Sequence, residues 1–360
     1  MSLICFKAYF KTPLITKNKM KVLVTGGTGY IGAHTVVELL DKNFTVDIVD
    51  NLNNSKEEVV DAIIEITKKK PAFFNIDLTD LALTEKYFND NKPDAVIHFA
   101  AHKAVGLSVE NPLEFYRNNF MSLINVLYCC KKYNAGSFVF SSSCSVYSDP
   151  DSLPISESAP VKKAKSPYGN TKLVGENIIE DTVRSSKINA ISLRYFNPVG
   201  SHESALIGEL PVNMPLNVMP IITQVAIGKR KQFSVLGNTY PTPDGSCIRD
   251  YIHVVDVAKA HVVAIERLIN KKNKTAYEIY NLGVGKGISV LELVNAFERV
   301  TKQKLNYVIA PPRDGDVTAV YADTTLANNE LGWKTELDLD YMIKTAWNWE
   351  LYLAGRKDFI

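Results

Sequence analysis

A tyrosine and a lysine stand four residues apart in the sequence, at Tyr168 and Lys172. On a helix, side chains at this spacing share a face and lie close together. A free phenol has a pKa of about 10 and is a poor base at neutral pH, but a neighbouring ammonium favours the phenolate and lowers that pKa. The pair therefore predicts a general base. Tyrosine and lysine at this spacing also occur on ordinary amphipathic helices, so the pair needs support from other motifs.

Three consecutive serines, Ser141 to Ser143, close a short hydrophobic run. A serine at the carboxyl end of a strand can donate a hydrogen bond to a substrate oxygen and relay its proton. Serines of this kind are more often ordinary loop residues. The run gains weight because it precedes Tyr168 in an order that brings both groups to one crevice of an α/β sheet.

A glycine-rich turn, Gly26 to Gly32, follows the first hydrophobic run, Lys21–Thr25. Glycines allow the backbone to approach a pyrophosphate, and the amino terminus of the next helix supplies free N–H groups and positive potential. Asp50 closes the second hydrophobic run, where a carboxylate accepts hydrogen bonds from an adenosine ribose and repels a 2′-phosphate. These features favour NAD over NADP, and the positive nicotinamide ring of NAD⁺ would join the neighbouring ammonium in lowering the pKa of Tyr168. An ordinary strand-to-helix turn with a capping aspartate is the alternative interpretation.

Six β-branched runs alternate with amphipathic helical patterns in the first half of the chain, which predicts an α/β fold. The runs are nearly continuously hydrophobic, as expected for parallel strands that are covered on both faces. We predict a Rossmann-type, doubly wound parallel sheet with a smaller carboxyl-terminal α/β substrate domain. Such sheets bind ligands at the carboxyl ends of their strands, where Asp77 and Lys103 lie. The predicted strands are Lys21–Thr25, Thr45–Asp50, Ala72–Asp77, Ala95–Ala100, Ser137–Ser142 and Ala190–Tyr195.

The rhythm changes near residue 197, where prolines become frequent and clear strands become few. We divide the chain into an extension (1–19), an NAD-binding domain (20–196) and a mainly substrate-binding domain (197–360). Strands near 234–258 and 278–284 are predicted to return to the first sheet, with Ser234–Leu236 and Glu278–Tyr280 as the candidate segments. The two domains are therefore expected to be discontinuous in sequence.

The composition excludes several classes of protein. The 360 residues include 41 Lys and Arg against 39 Asp and Glu, a net charge of +2, so neither nucleic acid nor a membrane surface is an expected partner. The five cysteines are odd in number and have no C-x-x-C spacing, which argues against a disulfide framework or a metal site and favours a reducing compartment. We therefore expect a cytoplasmic protein.

Several strings of residues resemble the extended short-chain dehydrogenase/reductase family. The strings GGTGYIG (26–32), FSSS (140–143) and YGNTK (168–172) carry this resemblance. Others are similar to the UDP-glucose 4-epimerases of that family, and they are DNLNNS (50–55), VIHFAAHKAV (96–105), SPYGNTK (166–172), LRYFNPVG (193–200), RDYIHVVDVA (249–258), YNLGVGKG (280–287) and PPRDGD (311–316). The likeness runs from Met20 to near the carboxyl terminus.

The resemblance implies a reversible 4-epimerisation of UDP-galactose and UDP-glucose through a 4-keto intermediate, with tightly bound NAD. Tyr168 is the implied base, acting directly or through Ser143, and Lys172 assists it. The implied cofactor-binding residues are Gly26, Gly29, Tyr30, Ile31, Gly32, Asp50, Asn51, Asn54, Asp77, Leu78, Phe99, Ala100, Lys103, Asn118, Ser141, Tyr168, Lys172 and Tyr195. The implied substrate-binding residues are Ser143, Asn197, Asn217, Leu236, Arg249, Arg313 and Asp316.

The resemblance also makes Val320 a specificity residue. A bulky aromatic side chain at this place restricts family members to UDP-glucose and UDP-galactose, whereas valine leaves room for an acetamido group. We therefore predict that UDP-GlcNAc and UDP-GalNAc are also accepted; a packing valine with no effect is the alternative. A homodimer through the helical stretches 109–134 and 168–184 is also implied.

Three other functions remain open from the sequence. A 4,6-dehydratase of the same family is expected to carry an acidic pair after the strand-end serines, and the segment Ser143 to Val146 has no acid. A different sugar-nucleotide 4-epimerase is another alternative within the family. A non-catalytic NAD-sensing module would lack the tyrosine or the lysine, and both are present here.

Overall fold

The computed structural model describes residues 20–210, 217–313, 316–356 and 359–360. The predicted extension 1–19 lies outside the described residues. The strands are β1 (Lys21–Thr25), β2 (Thr45–Asp50), β3 (Ala72–Asn75), β4 (Ala95–His98), β5 (Ser137–Ser141), β6 (Asn189–Tyr195), β7 (Asn197–Val199), β8 (Phe233–Leu236), β9 (Ile248–Arg249), β10 (Tyr251–His253), β11 (Tyr277–Leu282), β12 (Ile288–Ser289), β13 (Tyr307–Ala310) and β14 (Ala319–Val320).

The helices alternate with these strands in the first half of the chain. They are α1 (Tyr30–Asp41), α2 (Glu58–Thr67), α3 (Leu81–Asn91), α4 (Val105–Glu110), α5 (Pro112–Tyr133), α6 (Pro167–Arg184), α7 (Val218–Ala226), α8 (Val254–Ile269), α9 (Val290–Thr301) and α10 (Leu339–Leu353). A 3₁₀ turn spans Cys144–Tyr147, and a π-helical turn spans Ala327–Leu331. In the described part of the chain, no helix is both long enough and apolar enough to cross a bilayer.

The centre of the fold is a seven-stranded sheet with the order β3-β2-β1-β4-β5-β6-β11. Every neighbouring pair is parallel, which confirms the predicted α/β class with a doubly wound sheet. The chain winds outward from β1 in one direction through β2 and β3, and then from β4 in the other direction. The crevice at the carboxyl ends of β1 and β4 is the switch point at which such sheets bind ligands.

Successive residues of the strands pack on opposite faces of this sheet. Val22 and Val24 belong to a core formed with α1, α2 and α8. Leu23, between them, belongs to a second core formed with α3, α5 and α6. Helices therefore cover both faces, which explains why these strands are continuous hydrophobic runs with no polar alternation.

The predicted strands agree with the observed strands within two residues. β3 ends at Asn75 because Asp77 accepts hydrogen bonds from the backbone N and the Oγ1 of Thr79, at 2.9 and 2.8 Å, and so begins a turn. β4 ends at His98, where the chain leaves the sheet toward Ala100. β6 begins one residue early, at Asn189.

The second half of the chain extends the first sheet through β11, which pairs with β6 along its whole length. The expectation that Ser234–Leu236 joins this sheet is wrong, because β8 pairs with β13 in a separate two-stranded sheet. Phe233 and Val235 pack there in a third core with α7, α9 and α10. Residues 254–269 do return to the first unit, but as helix α8 against α1. The domain boundary at residue 197 stays a prediction.

Candidate active site

Tyr168 lies in the first turn of α6 because two neighbouring residues start the helix there. The Oγ of Ser166 accepts a hydrogen bond from the backbone N–H of Gly169 at 3.1 Å and so caps the helix. Pro167 occupies the first helical position, where its fixed φ and missing N–H favour a helix start. Lys172 follows one turn later on the same face, as predicted.

Lys172 is buried and points at the end of β5. Its Nζ donates a hydrogen bond to the carbonyl O of Ser141 at 2.6 Å and lies 4.8 Å from the ring centroid of Phe140 and 5.9 Å from that of Tyr168. Burial lowers the pKa of Lys172 to about 8, while the charge of Glu176 opposes this effect. The ammonium is therefore mostly present at pH 7 and is lost as the pH rises through that value.

The phenol of Tyr168 is almost fully enclosed, with 8% of the residue exposed. Burial raises the pKa of Tyr168 well above its ordinary value, the charge of an ionised Tyr195 raises it further, and a hydrogen bond with Ser143 lowers it. The sequence predicts a lowered pKa from Lys172 together with the positive nicotinamide ring of NAD⁺, and the described residues alone do not produce that lowering. Further positive charge beside the phenol is needed to ionise it near neutral pH.

The glycine turn lies directly against the end of β4, which explains its composition. Gly26 has a φ of +69°, and a Cβ on it would lie 2.8 Å from the backbone N of Ala100. A Cβ on Gly32 would lie 2.1 Å from the carbonyl O of Gly26. No side chain caps the amino terminus of α1 at Gly29, so the N–H groups of Tyr30 and Ile31 are available to an anion. This geometry fits a pyrophosphate.

Asp50 ends β2 with its carboxylate held in place. It accepts hydrogen bonds from the backbone N of Thr28 and Leu52 at 3.2 and 3.0 Å and from the Oγ of Ser55 at 3.2 Å. A carboxylate has about four acceptor sites, so it keeps capacity for a ribose hydroxyl. Asn54 is exposed in the same turn.

Asn51 and Asp77 lie at the ends of the neighbouring strands β2 and β3. Hydrogen bonds from Thr79 and Asn51 lower the pKa of Asp77, although burial has the largest single effect and opposes them. The next residue, Leu78, is buried in the core under the sheet. The structure thus brings the predicted Asp50, Asn51 and Asp77 to one edge of the sheet.

Lys103 reaches over the glycine turn from the segment after β4. Its Nζ lies 5.8 Å from the ring centroid of Tyr30 and 3.0 Å from Oε1 of Glu209. The same oxygen accepts a hydrogen bond from Nδ2 of Asn217 at 2.6 Å. Glu209 therefore joins a predicted cofactor-binding residue to a predicted substrate-binding residue. Sequence reasoning missed Glu209, which belongs to no motif.

Asn118 lies on α5 and donates a hydrogen bond to Oδ1 of Asn119 at 2.9 Å. Asn119 was also missed, yet it holds the loop after β4. It accepts from the backbone N of His102 at 2.8 Å and donates to the backbone O of His102 and to Oγ1 of Thr171. This amide therefore connects the cofactor-side loop to α6.

Ser141 and Tyr195 join the ends of β5 and β6 through a hydrogen bond between their hydroxyls, at 2.8 Å. Phe99, at the end of β4, packs against the ring of His261 with centroids 4.5 Å apart. Ala100 and Lys172 line one small cavity behind the end of the sheet. Since Gly26 also lies against Ala100, this residue connects the glycine turn to Lys172.

Two guanidinium groups meet at one carboxylate on the other side of the crevice. Nη2 of Arg249 and Nη2 of Arg313 lie 3.4 and 2.6 Å from Oδ1 of Asp316. Nη1 of Arg249 also donates to the carbonyl O of Ile248 and of Val317, both at 2.8 Å. The predicted cationic pair is thus present, with Asp316 between its members.

Val320 pairs with Arg249 across β14 and β9. Its side chain packs against a small core that contains Phe196 and Tyr147. Tyr147 ends the turn that begins at Ser143, which we call the serine turn. Asn197 begins β7 one residue after Phe196, and its backbone N–H donates a hydrogen bond to the backbone carbonyl O of Asp250. Leu236 ends β8 and is 38% exposed.

The comparisons with known proteins agree with this geometry. The family model described as GDP-mannose 4,6 dehydratase matches residues 23–346. The UDP-glucose 4-epimerase of Pasteurella multocida is 46% identical over 332 residues, which cover 92% of this chain and 97% of that protein. That of Schizosaccharomyces pombe is 48% identical over 91% of this chain and 93% of its own length. The chain belongs to the extended short-chain dehydrogenase/reductase family, and within that family to the UDP-glucose 4-epimerases.

Solved structures of UDP-glucose 4-epimerases share the whole fold. The enzyme from Stenotrophomonas maltophila, crystallised with NAD and formylated UDP-arabinopyranose, matches with a TM-score of 0.90 and 44% identity over 93% of this chain and 99% of its own. The enzyme from Bifidobacterium longum, in complex with NAD⁺ and UDP, matches with a TM-score of 0.89, 44% identity and the same coverage.

Proposed function

We propose that this protein catalyses the reversible 4-epimerisation of UDP-galactose and UDP-glucose with tightly bound NAD. The observation that carries the proposal is that Ala100 lies against Gly26 of the glycine turn and lines one cavity with Lys172, the buried partner of Tyr168 on α6. Membership of the UDP-glucose 4-epimerases and the NAD-bound structures of relatives support the same function.

The residues of the crevice fit NAD. The glycine turn and the free amino terminus of α1 suit the pyrophosphate, and Asp50 suits the adenosine ribose. Lys103 reaches over the turn beside Tyr30, and Lys172 lies at the end of β5. When bound, NAD would supply reversible hydride acceptance and donation at carbon 4 of the sugar. Its positive nicotinamide ring would also provide the positive charge that the phenol of Tyr168 needs beside it to ionise near neutral pH.

The side chains around the sugar move a proton at its 4-hydroxyl. Tyr168 removes that proton directly or through Ser143, whose hydroxyl lies beside it. Lys172 keeps a positive charge near the phenolate. Only 8% of Tyr168 and 8% of Ser143 is exposed, so the enclosed site excludes water from the reacting atoms. Arg249 and Arg313 bind the diphosphate, so the sugar can rotate about the diphosphate linkage while the nucleotide stays in place.

A direct assay tests this proposal. The purified protein is given UDP-galactose without added NAD, and the products are separated by ion-pair chromatography. We expect UDP-glucose to form and NAD to be released when the protein is denatured. A 4-keto-6-deoxy sugar would indicate the dehydratase instead, although the turn Cys144–Tyr147 carries no acid for that reaction. Bound NAD without turnover of UDP-galactose would favour an NAD-sensing module.

We propose that Val320 leaves room for an acetamido group, so that UDP-GlcNAc and UDP-GalNAc also react. Its place beside Tyr147 and Phe196, paired to Arg249, supports this role. Val320→Tyr is expected to lower kcat/KM for UDP-GlcNAc by about tenfold or more and to leave UDP-galactose near its original value, since loss of pocket volume excludes only the larger sugar.

The matched control is Val308→Tyr, which adds the same ring at an exposed position of β13. This control should leave kcat/KM unchanged for both UDP-GlcNAc and UDP-galactose. A parallel fall for both sugars in Val320→Tyr, or no reaction of acetamido sugars with the original protein, would refute the assigned role.

We also propose a homodimer through α5. Four apolar residues form one exposed stripe along this helix, and they are Leu113, Met121, Ile124 and Tyr128. Ile124→Glu is expected to convert the dimer to a monomer in light scattering, because it places a charge in the middle of the stripe. Leu83→Glu, at an exposed position of α3, is the control and should leave the mass unchanged. A monomeric original protein would contradict the proposal.

We propose a cytoplasmic location for the protein. The four described cysteines, Cys129, Cys130, Cys144 and Cys247, are free, which is usual in a reducing compartment. Fractionation of cells that express the tagged protein tests this directly, and recovery from a secretory compartment would overturn it.

A further inference from the structure

A buried ion pair lies behind the catalytic helix. Arg194 on β6 donates from Nε and Nη2 to the two carboxylate oxygens of Glu176 on α6, at 2.9 and 2.6 Å. Both side chains are 4% exposed, so the pair is closed to solvent. The motifs of the sequence analysis give Glu176 no role, and the proposed proton transfer does not use it.

This pair is bonded to the chain on both sides of Ser143. The Oγ of Ser142 donates to Oε1 of Glu176 at 2.5 Å, and Nη1 of Arg194 donates to the hydroxyl of Tyr147 at 2.8 Å. The hydroxyl of Tyr147 in turn donates to Oδ1 of Asn281 on β11, at 2.8 Å. Ser143 is therefore the start of a short turn whose two ends are both attached to one ion pair.

The same carboxylate is attached to the face of α6 that carries the proposed base. Tyr168, Lys172 and Glu176 follow one another at four-residue intervals, so they lie in one row along the helix. Lys172 also donates to the carbonyl O of Ser141, so α6 is joined to the end of β5 at two successive levels. Any shift of α6 along β5 would break both connections.

Stability alone is a poor explanation for this arrangement. The desolvation of two buried charges offsets much of their attraction, and well-packed apolar residues of similar volume often stabilise a protein as much or more. What the ion pair does supply is geometry, because a guanidinium that binds a carboxylate with two parallel hydrogen bonds permits one orientation of each group.

We propose that Arg194 and Glu176 are positioning residues that set the distance between the hydroxyls of Ser143 and Tyr168. The pair holds the serine turn through Tyr147 and Ser142, and it holds α6 through the backbone of Glu176 itself. The inference rests on the proposed function, and it adds to that function the parts of the fold that bring the proton-transferring groups together.

Tyr147→Phe tests the proposal with little loss of packing. The change removes the hydroxyl that joins Arg194 to the serine turn and leaves the ring and the ion pair. We expect kcat for UDP-galactose to fall by about tenfold with little change in KM, because a shift of ~1 Å in a catalytic group can cost up to about a hundredfold. Tyr87→Phe removes another buried hydroxyl, which donates to Asp47 at 2.8 Å, and should change neither constant.

A double-mutant cycle separates positioning from general destabilisation. In a Ser143→Ala background, Tyr147→Phe should lower kcat by less than about twofold, because the group that it positions is already absent. An equal loss of kcat in both backgrounds would overturn the proposal. Arg194→Lys is a second variant: lysine keeps the charge but cannot bind Glu176 with two hydrogen bonds and reach Tyr147 as well, so it should give the same pattern.

Crystal structures give a readout that does not depend on turnover. In Tyr147→Phe the Ser143 hydroxyl should move away from the Tyr168 hydroxyl, and an unchanged position would overturn the proposal. Absence of epimerisation by the original protein would instead refute the proposed function, and the distance between these two hydroxyls would still decide whether the ion pair positions them.

Discussion

Tyr168→Phe is expected to slow the epimerisation of UDP-galactose by roughly a hundred- to ten-thousand-fold while NAD stays bound. The ring is buried at the start of α6, so phenylalanine keeps the packing and removes only the hydroxyl. Without that oxygen, Ser143 has no partner to pass a proton to, and Lys172 has no phenolate to stabilise. The loss should therefore appear in kcat more than in KM.

Two measurements accompany this kinetic experiment. The NAD content of the denatured protein should equal that of the original protein, because the glycine turn and Asp50 are unchanged. Tyr280→Phe is the matched control: its buried hydroxyl donates to Glu278 at 3.1 Å on the outer strand β11, away from the crevice. Near-normal turnover in Tyr168→Phe with a full complement of NAD would refute the assigned base.

The sequence predicts the central sheet well because burial on both faces leaves a strong signal. A strand such as β1, with Val22, Leu23 and Val24 all enclosed by helices, admits only apolar residues and is read directly as a hydrophobic run. The glycine turn is also predicted directly from the sequence, because a Cβ at Gly26 or Gly32 would collide with neighbouring backbone and glycine is therefore required there. Both signals are local, so one sequence suffices to detect them.

The strand pairing of the second half of the chain is harder to predict from the sequence, because its strands are short and their partners are distant in the sequence. Ser234–Leu236 has the residues of a strand, but nothing within it determines whether it pairs with the large sheet or with β13, some 70 residues later in the chain. The outcome depends on Phe233 and Val235 packing against α7 and α9. Such non-local packing is invisible to propensity and periodicity.

The candidate site shows the same division between local and non-local features. The pairing of Tyr168 with Lys172 follows from helical spacing, whereas Glu209 meets Lys103 across 106 residues of sequence. The lowered pKa of Tyr168 in the presence of NAD⁺ stays a prediction. The proximity of Lys172 is visible in the sequence, but the burial that raises the pKa of Tyr168 appears only in the folded chain.

The second large effect is expected at Arg249. Its guanidinium is already anchored by two backbone carbonyls and by Asp316, and 19% of its side chain is exposed. A group held in place loses little conformational entropy when it binds a diphosphate. Arg249→Met should therefore remove about 3 kcal/mol of binding, the upper range for a hydrogen bond to a charged group, which raises the Kd of UDP by about a hundredfold.

Arg313 provides the internal comparison for this prediction. Its side chain is 64% exposed, and its partner within the described part of the chain is Asp316. It must become ordered on binding, so Arg313→Met should weaken UDP by only about tenfold. Arg299→Met, which breaks an exposed ion pair with Asp340, is the control for lost surface charge and should leave the Kd unchanged. Isothermal titration with UDP measures all three, and a larger loss at Arg313 than at Arg249 would show that anchoring does not govern diphosphate binding here.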